Sequence, residues 1–208
     1  MTTRKHVLLL LPTALAGTVI LAACGGTGGG DGAAPTTEQT ATAAADFNDT
    51  DAEFARMMIP HHEQAVEMSD LAEKNQAGTQ VQDLADKISA AQGPEVRKLK
   101  GMLTTWGEKP LSDDAAAEVM DGMLTPDQMA DLRKATGTEF DQLYLELMVE
   151  HHEGAVEMAQ KEIHDGVNAD AMQMAEDIVD AQESEISSMK GMLGDSGTDG
   201  GRKAAADG

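Results

Sequence analysis

Two adjacent histidine pairs are the residues of this chain best suited to chemistry. His61-His62 and His151-His152 hold four of the six histidines, and the offset between the pairs, 151 − 61, is 90 residues. Imidazole is the commonest metal ligand among protein side chains, and the thioether of methionine is a soft ligand that favours Cu(I). Methionines lie about one helical turn from each pair. The repeated pattern therefore predicts a transition-metal site.

The histidine pairs belong to a longer internal repeat. The segments 58–68 and 148–158 read almost alike, and the match continues at the same offset without a gap. The further aligned residues are Asp51 with Asp141, Phe54 with Tyr144, Ile88 with Ile178, Ala91 with Ala181, Gln92 with Gln182, Glu95 with Glu185, and 100–103 with 190–193. Each half is therefore predicted to be the same two-helix hairpin.

Helical signals dominate both halves, and strand signals are poor. Capping boxes are predicted to begin at Thr50 and Thr79, and a short connector helix to start at Thr125 with Pro126 at its first position. Two hairpins with apolar stripes bury them best against each other, so we predict an all-α four-helix bundle. The expected helices are 50–75, 79–105, 139–165 and 169–193, within repeats 50–107 and 139–194 joined by connector 108–138.

The two histidines of a pair point in different directions, because successive helical residues are about 100° apart. A helical wheel places the first of each pair inside the apolar arc, with Met57 and Met68 or with Met158, and the second at its edge, near Met58 or Met148. One ion would therefore need ligands from different helices. Two alternatives stay open, a hydrogen-bonded core histidine and methionine as core filler. The candidate metal ligands are His61, His62, His151, His152, Met57, Met58, Met68, Met148 and Met158.

The amino terminus has the pattern of an exported lipoprotein. A basic start at Arg4-Lys5 precedes an apolar run that ends in Leu21-Ala22-Ala23-Cys24, which resembles a lipobox with its cysteine as the lipidation site. An ordinary signal peptide or an uncleaved anchor is the alternative. We expect a palmitate-bearing protein on the extracytoplasmic face of a membrane. The expected segments are a signal peptide (1–23), a flexible tether (24–48), the four-helix domain (49–194) and a disordered tail (195–208).

Charge and composition exclude several functions. The chain carries 37 acidic and 15 basic residues, a net charge of −22, and loss of Arg4 and Lys5 with the signal peptide would make it −24. Nucleic acid is therefore not an expected partner, because binding it needs a basic surface. Cys24 is the only cysteine, and we find neither a nucleophile with its base nor a phosphate-binding loop. We therefore do not expect an enzyme, and the sequence indicates no protein partner.

The histidine segments resemble a bacterial family known as domain of unknown function 305. That family carries Met-Met-Ile-Pro-His-His-x-x-Ala-Val-x-Met in one half and His-His-x-Gly-Ala-Val-x-Met in the other, which 57–68 and 151–158 match. The resemblance spans about 49–193 and implies a ferritin-like four-helix fold, export and copper handling. Its paired histidines correspond to His61, His62, His151 and His152, whereas methionine ligation is our own inference from the residues.

Three functions are weighed on these observations. The first is a membrane-anchored protein that sequesters or delivers copper ions, since histidine and methionine together suit copper better than hard cations. The second is a di-iron oxidase, which requires Glu-x-x-His motifs, but Met58 and Met148 occupy the positions where glutamate is needed. The third is a structural or interaction role in which the histidines are only packed.

Overall fold

The computed structural model describes the backbone of residues 46–111 and 120–203 and side chains as far as residue 194. The predicted signal peptide, the lipidation site Cys24 and the tether as far as residue 45 lie outside these residues. None of the helices in the described ranges is long and apolar enough to cross a membrane. The last helix continues to Lys203, into the segment where a disordered tail was expected.

In the described ranges all regular secondary structure is helical and no strand occurs, which confirms the all-α prediction. Two long helices form each hairpin, and a short helix lies in the connector that joins the hairpins. The helices are α1 (Asp49–Ser69), α2 (Leu71–Lys74), α3 (Thr79–Trp106), α4 (Pro126–Lys134), α5 (Thr138–Asp165) and α6 (Ala169–Lys203). α1 packs along α3, α5 packs along α6, and the two hairpins meet mainly where α1 contacts α5.

Two of the three predicted helix caps do not match the caps in the structure. α1 is capped by Asn48, whose side chain accepts the Asp51 N–H at 3.0 Å while the Asp51 carboxylate accepts the Asn48 N–H. The box predicted at Thr50 is therefore wrong, because Asn48 already supplies one. The box predicted at Thr79 is also wrong, since Gly78 is the cap residue there. The cap predicted at Thr125 is confirmed, with Pro126 as the first helical residue.

Reciprocal carboxylate contacts tie the two hairpins together. Asp141 of α5 accepts the Gly78 N–H at 2.9 Å, in the turn before α3. Asp51, its counterpart in α1, accepts the Val167 and Asn168 N–H groups at 3.1 and 2.9 Å, in the turn before α6. Each hairpin therefore caps the second helix of the other, and the repeat at offset 90 explains why both contacts exist.

The core is divided into two apolar clusters. One contains Phe54 and Met58 of α1 with Ala155 and Ala159 of α5, and the other contains residues 65–68 of α1 with 140–149 of α5. α1 and α5 therefore run in opposite directions. Between the clusters each long helix places buried polar side chains near its middle. These side chains are His61 and His62 on α1, Gln92 on α3, His151 and His152 on α5, and Gln182 on α6.

A buried carboxyl group breaks the repeat near the end of α5. Glu162 is fully buried, whereas its counterpart at offset 90 is Ala72. Burial, together with the neighbouring Asp51 carboxylate, raises the pKa of Glu162 to about 8. Burial alone would also raise the pKa of Asp51. The hydrogen bonds that its carboxylate accepts from backbone N–H groups and from the Glu162 carboxyl outweigh burial, so the pKa of Asp51 is lowered. The pair therefore contains one ionised and one protonated carboxyl group at neutral pH.

We expect this pair to make stability depend on pH. Between the ordinary pKa of 4.5 and about 8, folded Glu162 keeps a proton that the unfolded chain releases, so the free energy of unfolding falls as pH rises. In the Glu162→Gln variant, the decrease in the free energy of unfolding over this pH range should be smaller than in the wild type by more than about 1 kcal/mol. Urea unfolding at several pH values across the range measures the difference. Glu157→Gln, on the exposed side of α5, is the control. Equal pH slopes in all three proteins would contradict the assignment.

Candidate metal centre

His61 and His151 meet in the middle of the bundle. Their ring centroids are 3.8 Å apart with an angle of 42° between the ring planes, and the two residues are 0% and 1% exposed. They come together because the histidine segments occupy the middle of α1 and α5, which cross there in opposite directions. The inward positions predicted by the helical wheel are therefore the positions that pair.

His62 and His152 each face a glutamate on the second helix of their own hairpin. His62 Nε2 lies 2.9 Å from Glu95 Oε2 of α3, and His152 Nε2 lies 2.7 Å from Glu185 Oε2 of α6. Both imidazoles are fully buried, and both carboxylates are partly exposed at the rim of the bundle. His62 and His152, at the edge of the apolar arc, therefore face the neighbouring helix rather than solvent.

The two central imidazoles are held in their neutral form. Burial lowers the pKa of His61 to about 3, with further lowering from His62 and His152, against a smaller opposing effect of the Asp121 backbone. Burial likewise lowers the pKa of His151, and the other three histidines add to the effect. A neutral imidazole keeps a lone pair on one ring nitrogen, which is the form that binds metals.

Several buried polar atoms of the layer lack hydrogen-bond partners. In the described part of the chain, neither ring nitrogen of His61, His62 or His151 has one, and neither does Nδ1 of His152. The side-chain oxygens of Gln92 and Gln182 are also unpaired among the described residues. Leaving such groups unsatisfied costs about 1–3 kcal/mol each. Each of the four imidazoles therefore presents at least one nitrogen that a metal ion could satisfy.

The predicted methionines separate into two groups. Met58, Met68 and Met148 are fully buried in the apolar clusters. Met57 and Met158 are half-buried and line one cavity of about 90 Å³ between α1 and α5, beside Glu162. The structure therefore brings Met57 and Met158 together at the surface, while the other three pack with apolar side chains above and below the histidine layer.

Glu95 and Glu185, with the two glutamines, are the site residues that sequence reasoning missed. They had been aligned at offset 90 but given no role. A signal existed, because a glutamine and a glutamate three residues apart recur in both second helices, one turn apart on the same face. By contrast, Glu63 and Glu153 lie on the surface, where they pair with Lys100 at 2.6 Å and Lys190 at 2.7 Å.

The donor atoms suit a metal ion, but they do not yet form a complete coordination shell. Among the described residues, no three His, Cys, Asp or Glu side chains are positioned to hold one ion together. The unpaired nitrogens of the four imidazoles and the two adjoining carboxylates are nevertheless ligands that copper, zinc and iron accept. Rotation of the imidazoles about their side-chain bonds would be needed to direct them at one ion.

The chain belongs to the family described as domain of unknown function (DUF305), which matches residues 51–193. A DUF305 structure from Streptomyces coelicolor is 34% identical, with a TM-score of 0.66 over 74% of this chain and 96% of that one. A DUF305 fragment from Deinococcus radiodurans is 30% identical, with a TM-score of 0.62 over 71% and 97%. No curated protein is significantly similar to this chain.

The fold is also similar to that of CopM, whose structures include metal-bound forms. CopM in its Cu(I)-bound form is 27% identical, with a TM-score of 0.59 over 70% of this chain and 96% of CopM. CopM has also been solved in Cu(II)-bound, silver-bound and apo forms, and the Cu(II)-bound form is 26% identical to this chain. The relatives thus agree with the predicted all-helical bundle and the predicted family.

We expect the central imidazoles to destabilise the metal-free protein. Replacing both (His61→Leu with His151→Leu) removes unsatisfied buried nitrogens and keeps a similar volume, so the free energy of unfolding should rise by about 1–3 kcal/mol. Urea unfolding of metal-free protein measures this, with His164→Leu as the control because His164 is exposed at the end of α5. A marked loss of stability would instead show that the imidazoles serve packing, as the structural alternative requires.

Proposed function

We propose that this chain is an exported, membrane-anchored protein that binds copper ions in its histidine layer and sequesters or delivers them. The observation that carries the proposal is the meeting of four buried imidazoles with unpaired ring nitrogens between two apolar clusters. Purely structural buried histidines normally find hydrogen-bond partners, whereas His61 and His151 have none among the described residues. No step of catalysis is needed to account for the site, so we propose a binding protein rather than an enzyme.

Each residue of the layer has a definable part in binding. His61 and His151 supply neutral nitrogens from α1 and α5, and a copper ion would draw them into one coordination shell. Glu185 is hydrogen-bonded to Nε2 of His152, and the Glu95 carboxylate lies 2.9 Å from Nε2 of His62, so each carboxylate holds its ring with Nδ1 directed away from it. A carboxylate behind a metal-binding histidine orients the ring and raises its basicity.

The choice of copper rests on ligand type and on the relatives. Imidazole and thioether together suit copper and silver better than magnesium or calcium, and Met57 with Met158 offers sulfur at the surface between α1 and α5. CopM, with a similar fold, binds Cu(I), Cu(II) and silver. Export and lipid anchoring at Cys24 rest on the amino-terminal pattern, and the related Streptomyces coelicolor protein is also named as secreted.

A di-iron oxidase is the second candidate, because Glu95 and Glu185 bring two carboxylates to the histidine layer. Ferritin-like di-iron sites, however, use Glu-x-x-His on two helices. Met58 and Met148 stand where those glutamates belong, and both are buried in apolar clusters. Tight Fe(II) binding with oxygen consumption would favour this candidate over copper storage.

Replacement of the histidines should abolish copper binding. We expect the variant with all four changed to alanine to lose high-affinity Cu(I) and Ag(I) in calorimetric titrations of the domain, because no imidazole remains in the layer. His164→Ala should bind as the wild type does, since its ring is exposed and contacts Asp165. Parallel titrations with Cu(II), Zn(II) and Fe(II) rank the metals. Unaltered Cu(I) affinity in the fourfold variant would refute the proposal.

Loss of the supporting carboxylates should weaken binding without abolishing it. We expect Glu95→Gln and Glu185→Gln each to lower Cu(I) affinity about 10- to 100-fold, the usual effect of removing a partner behind a metal-binding histidine. Glu63→Gln is the matched control, because it removes an equal charge from a surface ion pair. If all three variants lose affinity equally, general electrostatic attraction rather than ring orientation is responsible.

A further inference from the structure

The connector passes directly over the histidine layer at residues 121–124. A Cβ atom added to Gly154 of α5 would lie 2.2 Å from the Asp121 carbonyl oxygen and 3.0 Å from Gly122 Cα. Gly122 itself has a φ of +83°, and a Cβ there would lie 3.1 Å from the His151 carbonyl oxygen. Two glycines thus allow the connector backbone to lie against the backbone of α5 beside His151.

Gln64 of α1 holds the other end of this segment. Its side-chain nitrogen donates to the Leu124 carbonyl at 3.1 Å, and its oxygen accepts the Leu124 N–H at 2.7 Å. Leu124 is thereby anchored with its side chain buried. The two hydrogen bonds attach the connector to α1 at a point three residues after His61.

Positions 64 and 154 correspond at offset 90, and both contact the same segment. Gly154 gives it room on α5, and Gln64 binds it on α1. The segment therefore spans the α1–α5 interface on the side where the two helices present their histidines. The backbone of Asp121 lies close enough to His61 to influence its pKa.

An acidic cavity adjoins the outer side of this segment. Its volume is about 360 Å³, and its lining includes Asp121 and Met123 of the connector with Glu150 and Glu157 of α5. A cavity lined by acidic groups raises the local concentration of cations. A metal ion gathered there would still be separated from the imidazoles by the connector backbone.

We propose that residues 121–124 form a movable cover over the His61–His151 pair, that Gln64 holds the cover closed, and that a metal ion reaches the imidazoles only when it opens. This inference rests on the proposed metal-binding function. The cover is the part most easily moved, because two side-chain hydrogen bonds, the buried Leu124 side chain and a backbone contact hold it, whereas the helices around it are packed on several sides. Opening it exposes the layer without unfolding the bundle.

The inference is tested by Cu(I) exchange with a coloured Cu(I) chelator under anaerobic conditions. In Gln64→Ala the rates of Cu(I) uptake and release should both rise about tenfold. This factor corresponds to a loss of about 1.4 kcal/mol from the free energy that holds the cover closed. The dissociation constant should hardly change, because a cover that is closed in both states alters rates and not affinity. Gly154→Ala should act similarly by displacing Asp121. The controls are Gln160→Ala and Gly191→Ala, at an exposed side chain and at a helical glycine with nothing within 4 Å.

A metal-free readout separates failure of the cover from failure of the function. In apo protein, carbethoxylation of His61 and His151 by diethyl pyrocarbonate, located by mass spectrometry, should speed up in Gln64→Ala and Gly154→Ala but not in the controls. Amide exchange in residues 120–124 should rise in the same two variants. If exchange rises there while imidazole modification and Cu(I) rates stay at wild-type values, the cover is refuted. A wild-type protein that binds no Cu(I) would refute the proposed function, and with it the role of the cover in metal access.

Discussion

A layer of buried polar side chains, several of them without hydrogen-bond partners among the described residues, crosses the middle of an otherwise apolar bundle, and the rest of the fold has to tolerate it. Each of the four long helices contributes to this layer, which separates the cluster around Phe54 from the cluster around Tyr144. Buried imidazoles without hydrogen bonds cost stability, so the two apolar clusters and the carboxylate contacts between hairpins must offset that cost. A ligand that binds only the folded state would return stability that increases with the logarithm of its concentration above the dissociation constant.

The internal repeat accounts for the layer, and departures from the repeat account for its surroundings. Offset 90 matches the histidine pairs, the glutamates at the rim and the capping aspartates, which gives the bundle an approximate twofold arrangement. The connector cannot obey that arrangement, because it occurs once. Two aligned positions that differ in chemistry, Gln64 against Gly154 and Ala72 against Glu162, lie where the two halves meet different neighbours.

The fold was predictable from sequence to a larger extent than the site. Periodicity and duplication predicted the helices and the hairpins, because both patterns can be read along the sequence without knowing how the helices pair in space. The wheel placed His61 and His151 inward, but a wheel describes one helix and does not show which residues of another helix it meets. The partnerships of His62 with Glu95 and of Asp141 with Gly78 depend on how helices pair in space. One misplaced cap has the same origin, since Gly78 is met by a carboxylate from the second hairpin. The other is a local error, because Asn48 and Asp51 form the capping box two residues before the predicted position.

Burial has opposing consequences for a metal-binding layer of this kind. A dry environment keeps His61 and His151 neutral, so these two imidazoles need not release a proton before they coordinate a metal. The same burial blocks an ion from reaching them, since the helices that carry them are packed against one another along their length. The connector resolves this conflict, because it is attached at Gln64 by side-chain hydrogen bonds and lies on α5 without a side chain at Gly154. Affinity can thus be set by the helices and the rate of exchange by the connector, and the two properties can vary independently among chains that share the histidine pairs.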